Sequence, residues 1–191
     1  MQESHRTVFL GLLFGMLILL SSEILASAMG LYEEEIEDWL KETALQHTAL
    51  ENGGLAAPGS DLKIVFKDSS SARRTGSKAW VYFQRAHAHG EGMGVIAIAL
   101  SLLAAASLLK PLMKIILSAM IGVGAFVYPF CWFYAGYYMV SIGKSAARAE
   151  IDWLARTSVS LYLVGLILLL LLIICYHLRI APVRKLFFSE E

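Results

Sequence analysis

Apolar and polar positions follow one another along this chain in long blocks, not in the short periods of a soluble domain. Four stretches are almost unbroken in apolar residues, at 8–20, 95–109, 115–140 and 159–175. A helix needs about 20 mostly apolar residues to cross roughly 30 Å of hydrocarbon. The pattern therefore predicts an all-α integral membrane protein whose four transmembrane helices contact the lipid bilayer near residues 7–29, 88–109, 112–141 and 157–178.

The polar segment between the first two spans, residues 30–86, predicts a large outer loop with structure of its own. Apolar residues over 31–50 recur at helical spacing, which predicts an amphipathic helix whose apolar face comprises Tyr32, Ile36, Trp39, Leu40 and Thr43. Residues 62–66 alternate like a short strand, and residues 69–78 have the character of a basic polar loop. The predicted organisation is a first transmembrane helix at 1–29, the outer loop at 30–86 and a three-helix transmembrane region with a short tail at 87–191.

Composition narrows the class of protein further. The chain has 191 residues, 57% of them hydrophobic and only 17% charged, so a second large domain beside four spans has no room. The formal net charge is zero, which gives no argument for a nucleic-acid partner. A phosphate-binding glycine loop, a paired-cysteine metal motif and a nucleophile elbow are all absent from the sequence. The chain is therefore interpreted as a subunit more readily than as an independent enzyme.

Basic residues close to the span ends predict the orientation. One side carries Arg6, Lys110, Lys114, Arg179, Arg184 and Lys185, so both termini are expected in the cytoplasm. In a bacterium this places the protein in the inner membrane and residues 30–86 in the periplasm. The first span has a second interpretation as a secretory signal cut near residues 26–28. Glu23 is unusual for a signal, and a retained span is favoured.

Ionisable residues near the outer ends of three spans predict a candidate site. A bilayer makes such groups expensive to keep, and the sequence places Glu23, His87, Glu91 and Tyr134 at similar depth. On a continuous helix His87 and Glu91 share a face and His89 points nearly the opposite way. Chelation by both histidines would need an extended segment there. The structural alternative is a pair of interfacial histidines with carboxyls hydrogen-bonded to a neighbouring helix.

The residue types suggest which ligands such a site would take. Histidine and carboxylate suit zinc, copper or iron, and a His–Glu pair also suits proton transfer. The predicted metal ligands are His87, His89, Glu91 and Glu23. The predicted cofactor-binding residues are His87, His89, Glu91 and Tyr134, with a transition metal, a haem or a quinone as the cofactor.

Two functions follow from these observations, and a third is weaker. The first is a small membrane subunit of a larger redox complex that uses this outer layer for electron or proton transfer. The second is a non-catalytic accessory or assembly subunit that docks other membrane or periplasmic subunits through its outer loop. A proton or ion carrier is disfavoured because the cytoplasmic halves of the spans are almost wholly apolar. Glu23 is expected to face the bundle and approach the His87–Glu91 layer or Tyr134; a lipid-facing Glu23 would favour the docking function.

Overall fold

A computed structural model describes residues 7–51 and 62–189, and helices account for nearly all of this part of the chain. In chain order they are α1 (Phe9–Leu31), α2 (Glu33–Glu51), α3 (Leu62–Ala106), α4 (Pro111–Ile142), α5 (Lys144–His177) and α6 (Ala181–Phe187).

Four of these helices are long and apolar enough to cross a membrane. They are α1, the part of α3 from Arg73 to Ala106, α4 and α5, which confirms the prediction of four membrane-spanning helices and indicates an integral membrane protein. Helices α3 and α5 extend well beyond their apolar cores, since each added residue of an existing helix gains a hydrogen bond without a new nucleation cost. Only Gly143, at a φ of 79°, separates α4 from α5.

Two predictions for the segment after residue 61 are wrong. The strand expected at 62–66 and the polar loop expected at 69–78 both belong to helix α3, which is 45 residues long. An alternation over five residues is a weak signal, because a short apolar run fits a helix as well as a strand. A helix that continues into the following span satisfies the backbone hydrogen bonds of the segment, whereas a lone strand would leave them unpaired.

The described residues form two compact units, each built from parts of several helices. Among the described residues, the first unit draws on residues 7–23, 88–129 and 154–189. Its core contains Val8, Ala97, Leu117, Ile121 and Leu169, all with no more than traces of exposed surface. Alanines and glycines are frequent among these contacts, as expected where helices pack through close backbone approach.

The second unit draws on residues 24–51, 62–87 and 130–153. Its core combines side chains from α2, α3 and α4, among them Leu40, Ala44, Tyr82, Phe83 and Met139. Leu40 and Ala44 stand one turn apart and both are buried. A helix is thus present where helical spacing predicted one, and it packs against α3 closely enough that a Cβ at Gly76 would lie 3.3 Å from the Lys41 backbone nitrogen.

Candidate functional site

The His–Glu motif lies inside helix α3, so its residues take helical positions. Residues 87–91 are all helical, which places His87 and Glu91 one turn apart and rules out the extended segment that chelation by both histidines would need. The His89 ring meets the Tyr128 ring of α4 edge to face, with centroids 5.3 Å apart at an interplanar angle of 67°. The two histidines therefore lie on different sides of α3.

Helices α1 and α3 approach each other through small residues next to this motif. Gly90 lies against Ser22, and a Cβ at Gly90 would stand 3.1 Å from the Ser22 Cβ. One turn further on, a Cβ at Gly94 would stand 2.8 Å from the Leu19 Cγ and 3.1 Å from the Gly15 carbonyl oxygen. The contact admits no larger side chain at either α3 glycine without a shift of one helix.

The same contacts fix the direction of both carboxylates around their helices. Glu91 precedes Ile98 by seven residues, and the Ile98 side chain lies 2.8 Å from a Cβ built at Gly15 of α1. Glu23 follows Leu19 by four residues, and Leu19 contacts α3. Residues four or seven apart share a helix face. Glu23 and Glu91 therefore border the α1–α3 contact from its two sides, and we call this pair the carboxylate seam.

The carboxylate seam lies on the side of the α1–α3 contact that is turned away from α4. Phe14 of α1 packs on Phe126 of α4, with ring centroids 5.3 Å apart, and Glu23 is nine residues further along, about 180° around the helix. His89 faces Tyr128 of α4, and Glu91 is two residues further, about 200° around.

The expectation that Glu23 turns into the bundle is wrong. Glu23 is exposed, whereas Glu91 is half-buried. The buried positions of α1 are Gly11, Gly15, Ile18, Ser22 and Met29, spaced three, four or seven residues apart. The residue after Ser22 is rotated about 100° from that buried face, so packing of the glycines turns the carboxylate outward.

The proposed ligand sets remain predictions. Within residues 7–51 and 62–189, no three His, Cys, Asp or Glu side chains are grouped so that they could hold a metal ion. Tyr134 belongs to the second unit, where its ring packs against that of Tyr138, with centroids 4.2 Å apart and the ring planes tilted by 31°. The structure thus brings His89 to Tyr128 and Glu23 to the same helix contact as Glu91, and assigns Tyr134 to an aromatic cluster.

No known protein family, curated protein or solved structure matches this chain.

The second unit contains a contact between an arginine and two aromatic rings that the sequence analysis did not predict. The Arg85 guanidinium carbon lies 5.1 Å from the Trp132 ring and 5.8 Å from the Tyr82 ring, and these two rings meet edge to face at 5.1 Å. A cation over an aromatic face is attracted by the negative face of the ring. The spacing of Tyr82 and Arg85, three residues apart on one helix, was the available signal.

Buried polar groups in the spans were also missed, because their residue types read as small or interfacial. Ser101 and Ser118 have no exposed surface, and Lys114 has 9%. The Lys114 ammonium donates to the Ala105 carbonyl at 2.8 Å, in the last turn of α3, where basic side chains satisfy free carbonyls. The Ser118 hydroxyl donates to the Thr7 carbonyl at 3.4 Å. The end of α3 and the start of α4 therefore contain buried polar groups, although the sequence predicted that these parts of the spans are almost wholly apolar.

Proposed function

We propose that this protein is an integral membrane subunit that assembles with a partner membrane protein through the carboxylate seam. The observation that carries the proposal is the exposed Glu23 side chain on α1, a helix apolar enough to span a bilayer. Intramembrane carboxylates usually face a protein interior or a water-filled cavity and pair with another group. An exposed one indicates that the pairing group belongs to another chain.

Glu23 lies deep within the apolar helix α1. Glu23 stands three residues past the middle of α1, and roughly 12 Å separates it from the end of the helix at Leu31. A charged side chain near mid-membrane costs about 2.5–3.5 kcal/mol even on insertion scales. Among the described residues, no hydrogen bond or ion pair holds this carboxylate. A partner helix that carries a basic side chain at the same depth would remove the cost.

The exposed surface beside the carboxylate seam has room for such a helix. Met16 and Leu20 of α1 are exposed on the same side as Glu23. On α3, Val95 and Leu102 are exposed on the same face as Glu91, four and eleven residues after it. Glu23 then supplies charge complementarity, and these exposed apolar side chains supply contact area.

We propose the orientation that the basic residues indicate. Lys110, Arg179, Arg184 and Lys185 follow span ends, and the positive-inside rule assigns these ends and both termini to the cytoplasm. The acidic helix α2, which exposes Glu33, Glu34, Glu35 and Asp38, then belongs to the outer loop. In a bacterium this loop would lie in the periplasm and offer partners a second, polar contact surface.

A redox subunit is the second candidate, and one contact favours it. The imidazole of His89 and the phenol of Tyr128 meet within spanning helices, so a group that exchanges protons has a neighbour that can donate or accept them. On this proposal a quinone, haem or metal would bind near His89 and Tyr128. Absorbance, metal analysis and quinone extraction of the purified complex test it directly.

The docking proposal is tested by Glu23→Leu and Glu23→Gln in the full-length protein. In the isolated protein, Glu23→Leu should leave thermal stability in detergent unchanged or raised, because no internal partner is lost. In native membranes, both variants should reduce recovery of the partner roughly tenfold to hundredfold, since a hydrogen bond to a charged group contributes about 1.5–3 kcal/mol. A photo-crosslinking residue at Leu20 should capture one defined protein, and the same residue at Ile167, an exposed position of α5, should not.

Two results would overturn the proposal. One is a clear loss of stability in isolated Glu23→Leu, which would indicate an internal partner for the carboxylate. The other is equal crosslinking at Leu20 and Ile167, which would indicate that lipid covers both positions.

A further inference from the structure

The C-terminal tail is held against the first unit by backbone hydrogen bonds and by a buried ring. The Lys110 amide donates to the Phe187 carbonyl at 2.9 Å, and the Ser189 amide donates to the Leu108 carbonyl at 3.0 Å. Phe188 is 3% exposed and its ring lies 4.8 Å from that of Tyr176. The short helix α6 is therefore fixed beside the junction of α3 and α4.

This attachment gathers cations into fixed positions. The Lys110 ammonium donates to the Lys185 carbonyl at 3.1 Å, which leaves two of its N–H groups for another acceptor. The Arg184 guanidinium carbon lies 5.0 Å from the centre of the Tyr176 ring. Lys185 and Arg179 are exposed in the same segment. Two of the four cations are thus held by contacts of their own before any ligand binds.

No acidic side chain of the described first unit lies near these cations. Its only carboxylates between residues 7 and 189 are Glu23 and Glu91, and Glu91 precedes the end of α3 by fifteen residues, roughly 22 Å along the helix. Glu190 and Glu191 follow in the sequence, outside the described residues. The described surface around α6 is therefore cationic without internal compensation.

Large apolar side chains are exposed among the same cations. Leu178 is 68% exposed and Leu186 is 63% exposed. Both stand next to the ends of spanning helices, since α5 ends at His177 and α4 begins at Pro111. Cations beside exposed aliphatic side chains at a span end match the boundary between lipid headgroups and acyl chains.

We propose that Lys110, Arg184 and Lys185 form a binding site for the phosphodiester headgroup of an anionic phospholipid, with Leu186 against its acyl chains. Guanidinium groups bind phosphate oxygens through paired hydrogen bonds, and an ammonium adds a compact charge. Basic residues at the cytoplasmic surface attract anionic lipids. The site is independent of the carboxylate seam and of any partner bound there.

The test compares lipid binding by the full-length protein and a triple variant, Lys110→Gln with Arg184→Gln and Lys185→Gln. Both are placed in nanodiscs of phosphatidylcholine with increasing phosphatidylglycerol, and bound lipid is counted by native mass spectrometry. Since each basic residue contributes about fivefold near an anionic surface, the triple variant should retain phosphatidylglycerol roughly tenfold to hundredfold less well. Glu190→Gln with Glu191→Gln should retain it equally or better.

A charge-matched control and a soluble anion complete the design. Arg73→Gln with Lys144→Gln and Arg148→Gln removes three exposed basic residues of the second unit and should leave retention unchanged. Equal retention by the triple variant, or an equal loss in the control, would overturn the proposal. Displacement of the lipid by millimolar glycerol phosphate would also overturn it, because the site would then recognise a free phosphate and not a lipid.

Discussion

The two units of this protein hold their helices together in different ways. In the first unit the contacts depend on missing side chains: a Cβ at Gly124 would lie 2.6 Å from the Ser158 carbonyl oxygen, and one at Gly122 would lie 2.8 Å from the Gly11 Cα. In the second unit they depend on large rings, such as Trp39 stacked on Tyr137 at 5.6 Å. The stability of the first unit should therefore fall when a side chain is added at a glycine, and that of the second unit when a ring is removed.

The difference has a physical reason in the surroundings of each helix segment. Within hydrocarbon, lipid tails are as apolar as leucine, so helices gain by close backbone contact and not by burying apolar area. Aromatic rings with polar edges suit the boundary between lipid and water, where one part of the ring is in contact with each.

Gly124→Leu should cause the largest loss of stability, about 3 kcal/mol or more, because its side chain would meet the α5 backbone. Gly92→Leu is the matched control, since no heavy atom lies within 4 Å of a Cβ there, and it should be neutral or slightly stabilising. Unfolding by sodium dodecyl sulfate in mixed micelles, followed by circular dichroism, measures both. Equal stability of the two variants would show that glycine contacts do not hold the first unit.

Trp132→Ala should lower the free energy of unfolding by about 2 kcal/mol. This is less than the loss expected for a fully buried aromatic residue, because the Trp132 ring is only half-buried. The substitution removes the contacts with Tyr82 and Arg85. Trp153→Ala, whose ring is 67% exposed, should change stability by less than about 0.5 kcal/mol. Both are measured in the same micelles. If Trp132→Ala lost more stability than Gly124→Leu, the ring contacts of the second unit would contribute more than the glycine contacts of the first, contrary to this prediction.

The smallest effect concerns an exposed ion pair on α2. The Glu37 carboxylate, 2.9 Å from the Lys41 ammonium, raises the pKa of Lys41 above its ordinary value, with a smaller contribution from Asp38. A raised pKa means that the stabilisation is complete below the unfolded value, about pH 10.4, and is lost as the pH rises through the folded value. Glu37→Gln should lower the pKa of Lys41, and Glu42→Gln should not.

Isotope-labelled lysine followed by nuclear magnetic resonance during a titration measures this shift. Added salt should reduce it, because exposed pairs are screened. An unchanged Lys41 pKa in Glu37→Gln would show that the pair is not formed in solution.

Some of the candidate site could be predicted from sequence spacing, and some could not. The spacing of His87, His89 and Glu91 was compatible with a helical and with an extended backbone. The helical conformation is observed, and it directs His89 to Tyr128. The direction of Glu23 was predicted wrongly because the glycines of α1 appeared only as packing residues. Which helix they pack against, and hence which side of α1 is left outside, is a property of three helices together.

The sequence alone determined that four long apolar helices form, because the length of an apolar block and the cost of an unpaired backbone in lipid act along one chain segment at a time. Tertiary structure decided what no single segment contains. It turned Glu23 outward, paired Arg85 with Trp132, and brought Lys110 beside Lys185 over 75 residues of sequence. Each of these contacts depends on how the packed helices are rotated relative to one another. Close contacts between small residues fix that rotation, and the residue types of a single segment do not determine it.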